Sequence, residues 1–223
     1  PEQEEYVNIG TVKIDDPPIR QIVMAGPGTG KTTTAIRLTE NIVKCGNKVL
    51  LLSYTNSALS TLKKRIRAHP YLNTKYHSEP FASKNVLKLN RQVLLSTVDQ
   101  MARAIQTGRL RTGSRGGNQQ NFDMIIRNAL HIVENDASVL DIFFEGSGPM
   151  FNHIIVDEAQ MLDDDRAALV RLIAKKLCIN SINGNVSCHL TMFCDPKQTI
   201  SNGTGRWLVE LYNTGYQNST SKV

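Results

Sequence analysis

The stretch that most constrains this chain is Gly26-Pro27-Gly28-Thr29-Gly30-Lys31-Thr32, set between the apolar run Ile22-Val23-Met24-Ala25 and a segment with helical periodicity. Its glycines open backbone conformations closed to other residues, so successive N–H groups can turn inward around an anion. A helix starting beside them adds the positive end of its dipole. Lys31 brings a charge within reach of β- and γ-phosphates, and the Thr32 hydroxyl is a ligand for Mg²⁺. The pattern G-x-x-x-x-G-K-[ST] is met from Ala25 to Thr32 except at its first position, where alanine replaces glycine. Gly26, Gly28, Thr29, Gly30, Lys31, Thr32 and Thr33 are therefore the candidate nucleotide-phosphate contacts.

The rest of the chain alternates strands and helices around that loop. Gln21 to Ala25 is expected as a strand, and Thr32 to Cys45 as a helix with Ala35, Leu38, Ile42 and Cys45 on one face. Lys48 to Ser53, Val93 to Thr97, His153 to Asp157 and Leu190 to Cys194 read as further strands, several of them apolar throughout, as suits strands covered on both faces. Helices are expected after Ser57, from Val98 to Gln106, over Phe122 to Phe144 with a break near Asn135-Asp136, and after Asp163. Gly108 to Gln120 reads as a loop. Such alternation implies an α/β domain with a mostly parallel sheet flanked by helices, whose ligands bind at the C-terminal strand ends.

At 223 residues and 40% hydrophobic content the chain can bury a substantial core. The net charge of +6 is unevenly spread: residues 20–115 hold 17 Lys/Arg against three acids, Glu40, Glu79 and Asp99. That excess points to a polyanion-binding face. The sequence has no apolar stretch long enough to span a bilayer and no signal-peptide pattern, so an intracellular protein without a membrane partner is expected. Cys45, Cys178, Cys188 and Cys194 lack C-x-x-C spacing, which favours reduced core thiols over a metal site at Cys188-His189 and Cys194.

Two strand ends carry chemistry. Asp157-Glu158-Ala159-Gln160 follows Ile154-Ile155-Val156, placing one carboxylate to hold Mg²⁺ and the next to polarise an attacking water. Gln160 is then positioned to sense phosphate or to couple to a neighbouring segment. Gln198, after Asp195-Pro196-Lys197, offers an amide donor and acceptor that can report a γ-phosphate.

Five motifs in order carry a family resemblance: Gly26 to Thr32, Ser53-Tyr54-Thr55-Asn56-Ser57-Ala58, Ser96-Thr97-Val98-Asp99-Gln100-Met101, Val156 to Gln160, and Asp195 to Ile200. Together they resemble the first RecA-like domain of UvrD/Rep-type superfamily 1 DNA helicases. The resemblance implies a P-loop NTPase fold over residues 1–223, with partly helical insertions at 65–92 and 103–150. It implies ATP and Mg²⁺ as cofactors, Glu158, Lys31 and Gln198 as catalytic residues, Thr32 and Asp157 as metal ligands, and Gln160 at the nucleotide. Gln3 matches the family's adenine-recognising glutamine. Tyr54, Thr55, Asn56, Ser96 and Thr97 would lie on single-stranded DNA, with 3′-to-5′ movement.

The departures are specific. Val98 and Asp99 stand where the family has an aromatic and a histidine, and Ser201-Asn202-Gly203-Thr204-Gly205 lacks the aromatics that stack on bases, a contribution of roughly 1–3 kcal/mol per base. Trp207 could replace them or belong to the core. The chain opens on Pro1, as a fragment of a longer protein would, and the family's second RecA-like domain, with its arginine fingers, finds no room after Asp195. Alone, such a domain should bind Mg-ATP and hydrolyse it slowly. RNA in place of DNA, a PhoH-like or RNA-helicase-type ATPase, and a degenerate nucleic-acid or protein-binding module are the alternatives.

Overall fold

The structure is a computed structural model that describes residues 20–77, 92–107, 122–136, 138–140, 144–145, 148–149, 151–179, 188–195, 198 and 206–208. In chain order its elements are β1 (Arg20–Met24), α1 (Lys31–Lys44), β2 (Val49–Ser53), α2 (Asn56–Ala68), β3 (Tyr76–His77) and β4 (Val93–Thr97). They continue with α3 (Val98–Thr107), α4 (Phe122–Asn135), β5 (Phe144–Glu145), β6 (Gly148–Pro149), β7 (His153–Asp157), α5 (Asp164–Ile179) and β8 (His189–Cys194). Six strands form one sheet in the order β1-β8-β7-β2-β4-β3, every pair parallel; β5 and β6 form a separate antiparallel pair.

The apolar runs explain this architecture. All five residues of β2 and of β7 are buried, and alternate side chains enter two different cores. Leu50, Leu52, Ile154, Val156, Leu190 and Met192 face α3, α4 and α5. Val49, Leu51, Ile155 and Phe193 face α1 and α2. A strand with helices on both sides must be apolar at every position, which is how these strands read. Truncating a residue such as Leu51, fully buried between layers, removes transfer energy and leaves a cavity, about 2–5 kcal/mol.

Local signals set the helix ends. Thr55 caps α2 by accepting from the Ala58 N–H at 3.1 Å. Thr97 and Gln100 form a reciprocal capping box for α3: Thr97 Oγ1 accepts from Gln100 N at 3.2 Å, and Gln100 Oε1 accepts from Thr97 N at 3.1 Å. Asp163 caps α5 through the Arg166 N–H at 2.8 Å.

One helix expectation is corrected in part. The break expected near Asn135-Asp136 is present, since α4 ends at Asn135 and Asp136 Oδ1 accepts from both the N–H and the hydroxyl of Ser138 and turns the chain; the helical reading beyond it, toward Phe144, is what fails. Phe144 instead pairs with Pro149 in the small hairpin. Both expected insertions contribute to the domain's own core: Ile66 and Leu72 from one, Ile105, Ile126, Ala129 and Val133 from the other, all nearly or fully buried. No helix among the described residues is long and apolar enough to cross a membrane.

Candidate nucleotide site

In-register parallel pairing gathers the polar motifs at one edge. Ser53 lies opposite both Asp157 and Thr97, and Met24 opposite Cys194, so the segments after β1, β2, β4, β7 and β8 leave the sheet side by side. The Ala25 N–H extends the β1 ladder to the Cys194 carbonyl at 2.9 Å, fixing the direction in which the glycine loop departs.

The loop then turns with Gly28 at φ 73° and Gly30 at φ 90°. Nothing lies within 4 Å of a Cβ built at Gly28, so conformation and not crowding requires glycine there. Thr29 Oγ1 donates to the Gly26 carbonyl at 2.7 Å and ties the turn to itself. Gly30 is the N-cap of α1 without any side-chain cap, and the first turn of α1 has no acid. Its leading N–H groups and dipole are thereby left for an anionic ligand. Lys31, 8% exposed, donates to the carbonyls of Ala25 and Gly26 at 3.2 Å each, and its Nζ lies 3.6 Å from Asp195 Oδ2. The ammonium is thus held at the mouth of the loop. Thr33, the next residue but one, is exposed and accepts from Arg65 Nη1 at 3.2 Å.

Thr32 Oγ1 donates to Asp157 Oδ2 at 2.9 Å, joining the helix after the loop to the tip of β7. The other carboxylate oxygen, Oδ1, is buried with no hydrogen-bond partner, and so is the Ser53 hydroxyl on the adjoining strand. Buried oxygens left unsatisfied cost about 1–3 kcal/mol each unless something completes them. A hydroxyl, a carboxylate and orphaned oxygens at one strand edge are the donor set a hard, hydrated cation takes, so Thr32 and Asp157 fit Mg²⁺. Burial pushes the Asp157 carboxyl above the usual carboxylate range; the Thr32 hydrogen bond opposes the rise and the Glu158 charge adds to it.

Glu158 is the only non-glycine among the described residues with positive φ, at φ 55° and ψ 44°. That left-handed turn swings the chain out of β7 and leaves the carboxylate half-buried, with Oε2 accepting from Gln160 Nε2 at 2.5 Å. Gln160 is fully buried and its amide is fully used. Besides Glu158 it donates to Gln198 Oε1 at 3.1 Å and accepts from the Asp195 N–H at 3.0 Å. Of the two roles expected of Gln160, the structure displays coupling between segments. Gln198 itself is exposed, with its N–H on the Asp195 carbonyl at 3.2 Å.

Lys31, Thr32, Asp157, Glu158, Gln160 and Gln198 therefore converge, while Gln3 lies outside the described residues. The five residues expected on nucleic acid divide. Thr55 and Asn56 are exposed at the start of α2, and Tyr54 is half-buried against the core. Ser96 and Thr97 are buried, and the capping box takes up the Thr97 hydroxyl while the Ser96 hydroxyl donates to the Thr97 carbonyl at 3.1 Å. Of the two roles open to Trp207 the structure shows the core one: it is 1% exposed and its indole N–H donates to the Leu162 carbonyl at 3.0 Å.

Two participants escaped the sequence reading. Asp195 is fully buried and is the carboxylate facing Lys31, signalled only by its place at the end of an apolar strand. Arg166, 5% exposed, gathers Asp99 at 2.8 Å, Asp123 at 3.3 Å and Asp163, and its guanidinium sits 5.7 Å over the Tyr54 ring. Burial alone would lower its pKa, but the hydrogen bonds and charges of Asp99 and Asp163 outweigh it and hold the cation charged. The departure at Asp99 thus has a structural role: it pairs the segment after β4 with the start of α5. Cys188 and Cys194 are buried core residues, and burial pushes the Cys194 thiol up.

A parallel α/β sheet with a glycine loop, a helix N-terminus and an acidic strand tip around one edge defines a P-loop NTPase. Residues 14–204 match the AAA_19 family, described as an AAA domain, and the chain belongs to that family. Its fold is that of a P-loop helicase-type ATPase domain, which implies nucleotide binding, usually with Mg²⁺. No curated protein matches the chain.

Proposed function

We propose that this domain is the ATP-binding half of a UvrD/Rep-type DNA helicase motor that moves 3′ to 5′ on single-stranded DNA. The observation that carries the reading is the 2.9 Å link between Thr32 and Asp157, which closes the phosphate loop on the acidic strand tip with Glu158 next in sequence. Lys31 neutralises the phosphates on leaving its carbonyl partners, and Mg²⁺ when bound shields charge developing on the phosphoryl oxygens. Glu158 accepts a proton from the attacking water. Gln160 transmits the state of that site to Gln198 through one shared amide. Exposed Thr55 and Asn56, with Tyr54 beside them, support a single strand lying along the strand ends. A second RecA-like domain supplies the facing wall of the cleft and an arginine, worth on the order of 10³–10⁵ in rate in comparable sites.

Lys31→Ala should abolish binding of a fluorescent ATP analogue, and unchanged binding sinks the phosphate-loop assignment. Glu158→Gln should bind the analogue normally and lose whatever hydrolysis the parent shows; full turnover in this variant rules Glu158 out as the base.

A further inference from the structure

We infer that the outer ridge of α2, with the adjoining stripe of α1, is a docking surface for the phosphate backbone of double-stranded nucleic acid. It lies beyond the strand-end track of the proposed function and rests on that reading only for the single strand that would continue from it.

Folding sorts the charge by layer. On one face of the sheet, α1 and α2 carry seven Lys/Arg against one acid, Glu40. On the other, α3, α4 and α5 carry six Lys/Arg against five Asp/Glu. The second layer pairs its charges internally, Arg127 with Asp165 and Arg166 with Asp99 and Asp123. The first does not. Arg65 hydrogen-bonds the Thr33 hydroxyl at 3.2 Å and Arg67 the Tyr76 hydroxyl at 2.6 Å, both neutral partners. Glu40 is already engaged by Lys44 at 2.8 Å and faces His69 at 3.5 Å.

The arrangement has direction. Leu59, Leu62 and Ile66 bury one side of α2, and the exposed side runs from Asn56, Ser57, Ser60 and Thr61 into Lys64, Arg65 and Arg67. Thirteen residues make a ridge about 20 Å long. It starts at the strand edge where Thr55 and Asn56 stand. The Arg65–Thr33 bond sets it against α1, where exposed Arg37 lies one turn further along the stripe that holds Thr33.

The chemistry selects the partner. Protein interfaces are anchored by buried aromatic and aliphatic groups, yet the exposed large hydrophobics among the described residues, Met24, Phe122, Met124 and Met161, all lie off this ridge. Cations interleaved with hydroxyl and amide groups are what contact phosphate and sugar. Single strands are held by stacking on aromatic rings; Tyr54 at the start of the ridge and Tyr71 and Tyr76 after its end are instead partly buried against the cores. Duplex, bound by its backbone without reading its sequence, is the occupant that needs nothing more than this surface offers.

The test compares the parent chain with a combined Arg37→Ala, Lys64→Ala, Arg65→Ala variant by fluorescence anisotropy across a salt series, using a blunt duplex and an unstructured single strand. The expected result is a loss of duplex affinity of at least tenfold at low salt, with the slope of log K against log salt falling by about 0.9 for each phosphate contact removed. Single-strand affinity should change less than twofold, and binding of the ATP analogue should be unaltered. An Arg37→Lys, Lys64→Arg, Arg65→Lys variant should restore duplex binding, which separates charge from folding damage. Unchanged duplex affinity and slope overturn the inference, as does an equal loss for the single strand. A parent that binds single strand but no duplex refutes the ridge and leaves the proposed function standing. A parent that binds duplex through the ridge and no single strand does the reverse.

Discussion

The left-handed backbone at Glu158 allows a test that separates conformation from chemistry. An L-residue at φ 55° sits where its Cβ crowds the following carbonyl, about 1–2 kcal/mol above the ordinary helical region. Glu158→Ala and Glu158→Gly both delete the carboxylate and its 2.5 Å bond from Gln160, so those losses cancel between the two variants. What remains is the backbone. Glycine relieves the crowding but gives back roughly 0.5–1 kcal/mol through its greater freedom when unfolded. The glycine variant should therefore be the more stable of the two by about 0.5–1 kcal/mol. For a chain of this size that is about 1–4 °C in melting temperature, read by calorimetry without nucleotide. Both variants should bind the ATP analogue and fail to hydrolyse it. An alanine variant that melts at the same temperature as the glycine variant, or above it, would refute the claim that strain is stored at the base. Hydrolysis surviving in either would refute the role.

Two further predictions use buried polar groups. Gln160→Leu removes the acceptor from the Asp195 N–H and the donor from Glu158, so it should cost about 1–3 kcal/mol in urea unfolding; it should also lower turnover while leaving the affinity for the ATP analogue unchanged, and a loss of affinity equal to the loss of turnover would argue against coupling. His153 is buried beside His189 and bonded to Thr191 at 2.9 Å; burial first, then the charges of His189 and Arg20, push its pKa well below 6.5. Its folded form refuses a proton that the unfolded chain accepts, so stability is full above pH 6.5 and declines as pH falls below it. The chain should be less stable in urea at pH 5.5 than at pH 7.5, by on the order of 1 kcal/mol from this residue, and His153→Gln should flatten that difference.

Much of the fold could be read because its strands are covered on both sides. Leu50, Leu51 and Leu52 alternate between two cores, a pattern that leaves no polar position and so announces itself in one dimension. The glycine loop was legible for a similar reason: its constraints are local. The end of α4 was legible at Asn135-Asp136, but the chain beyond it was not, since Val139 and Leu140 continue the apolar rhythm past the turn that Asp136 and Ser138 impose. Least legible were the long-range polar contacts. Asp99 looked like a defect in a motif until Arg166, brought in by α5, gave it a partner. The Ser96 and Thr97 hydroxyls looked available to a ligand until Gln100 claimed one and the backbone the other. Nothing in the order of residues announces that Gln160 will meet Asp195.

The place of β1 at the rim of the sheet also bears on how the molecule is made. Among the described strands, β1 pairs with β8 alone, Arg20 against Leu190 and Met24 against Cys194. The loop that follows it is braced by Asp157 and Asp195, also late in the chain. A ribosome adding about 5–20 residues per second holds the glycine loop in solution for roughly 10–30 s before its neighbours exist. Nucleotide cannot assist the early steps of folding, because the place it occupies is among the last to be assembled. The ability to retain ATP thus marks completion of this sheet, and a pulse-labelled nascent chain should acquire it only once β8 has cleared the exit tunnel.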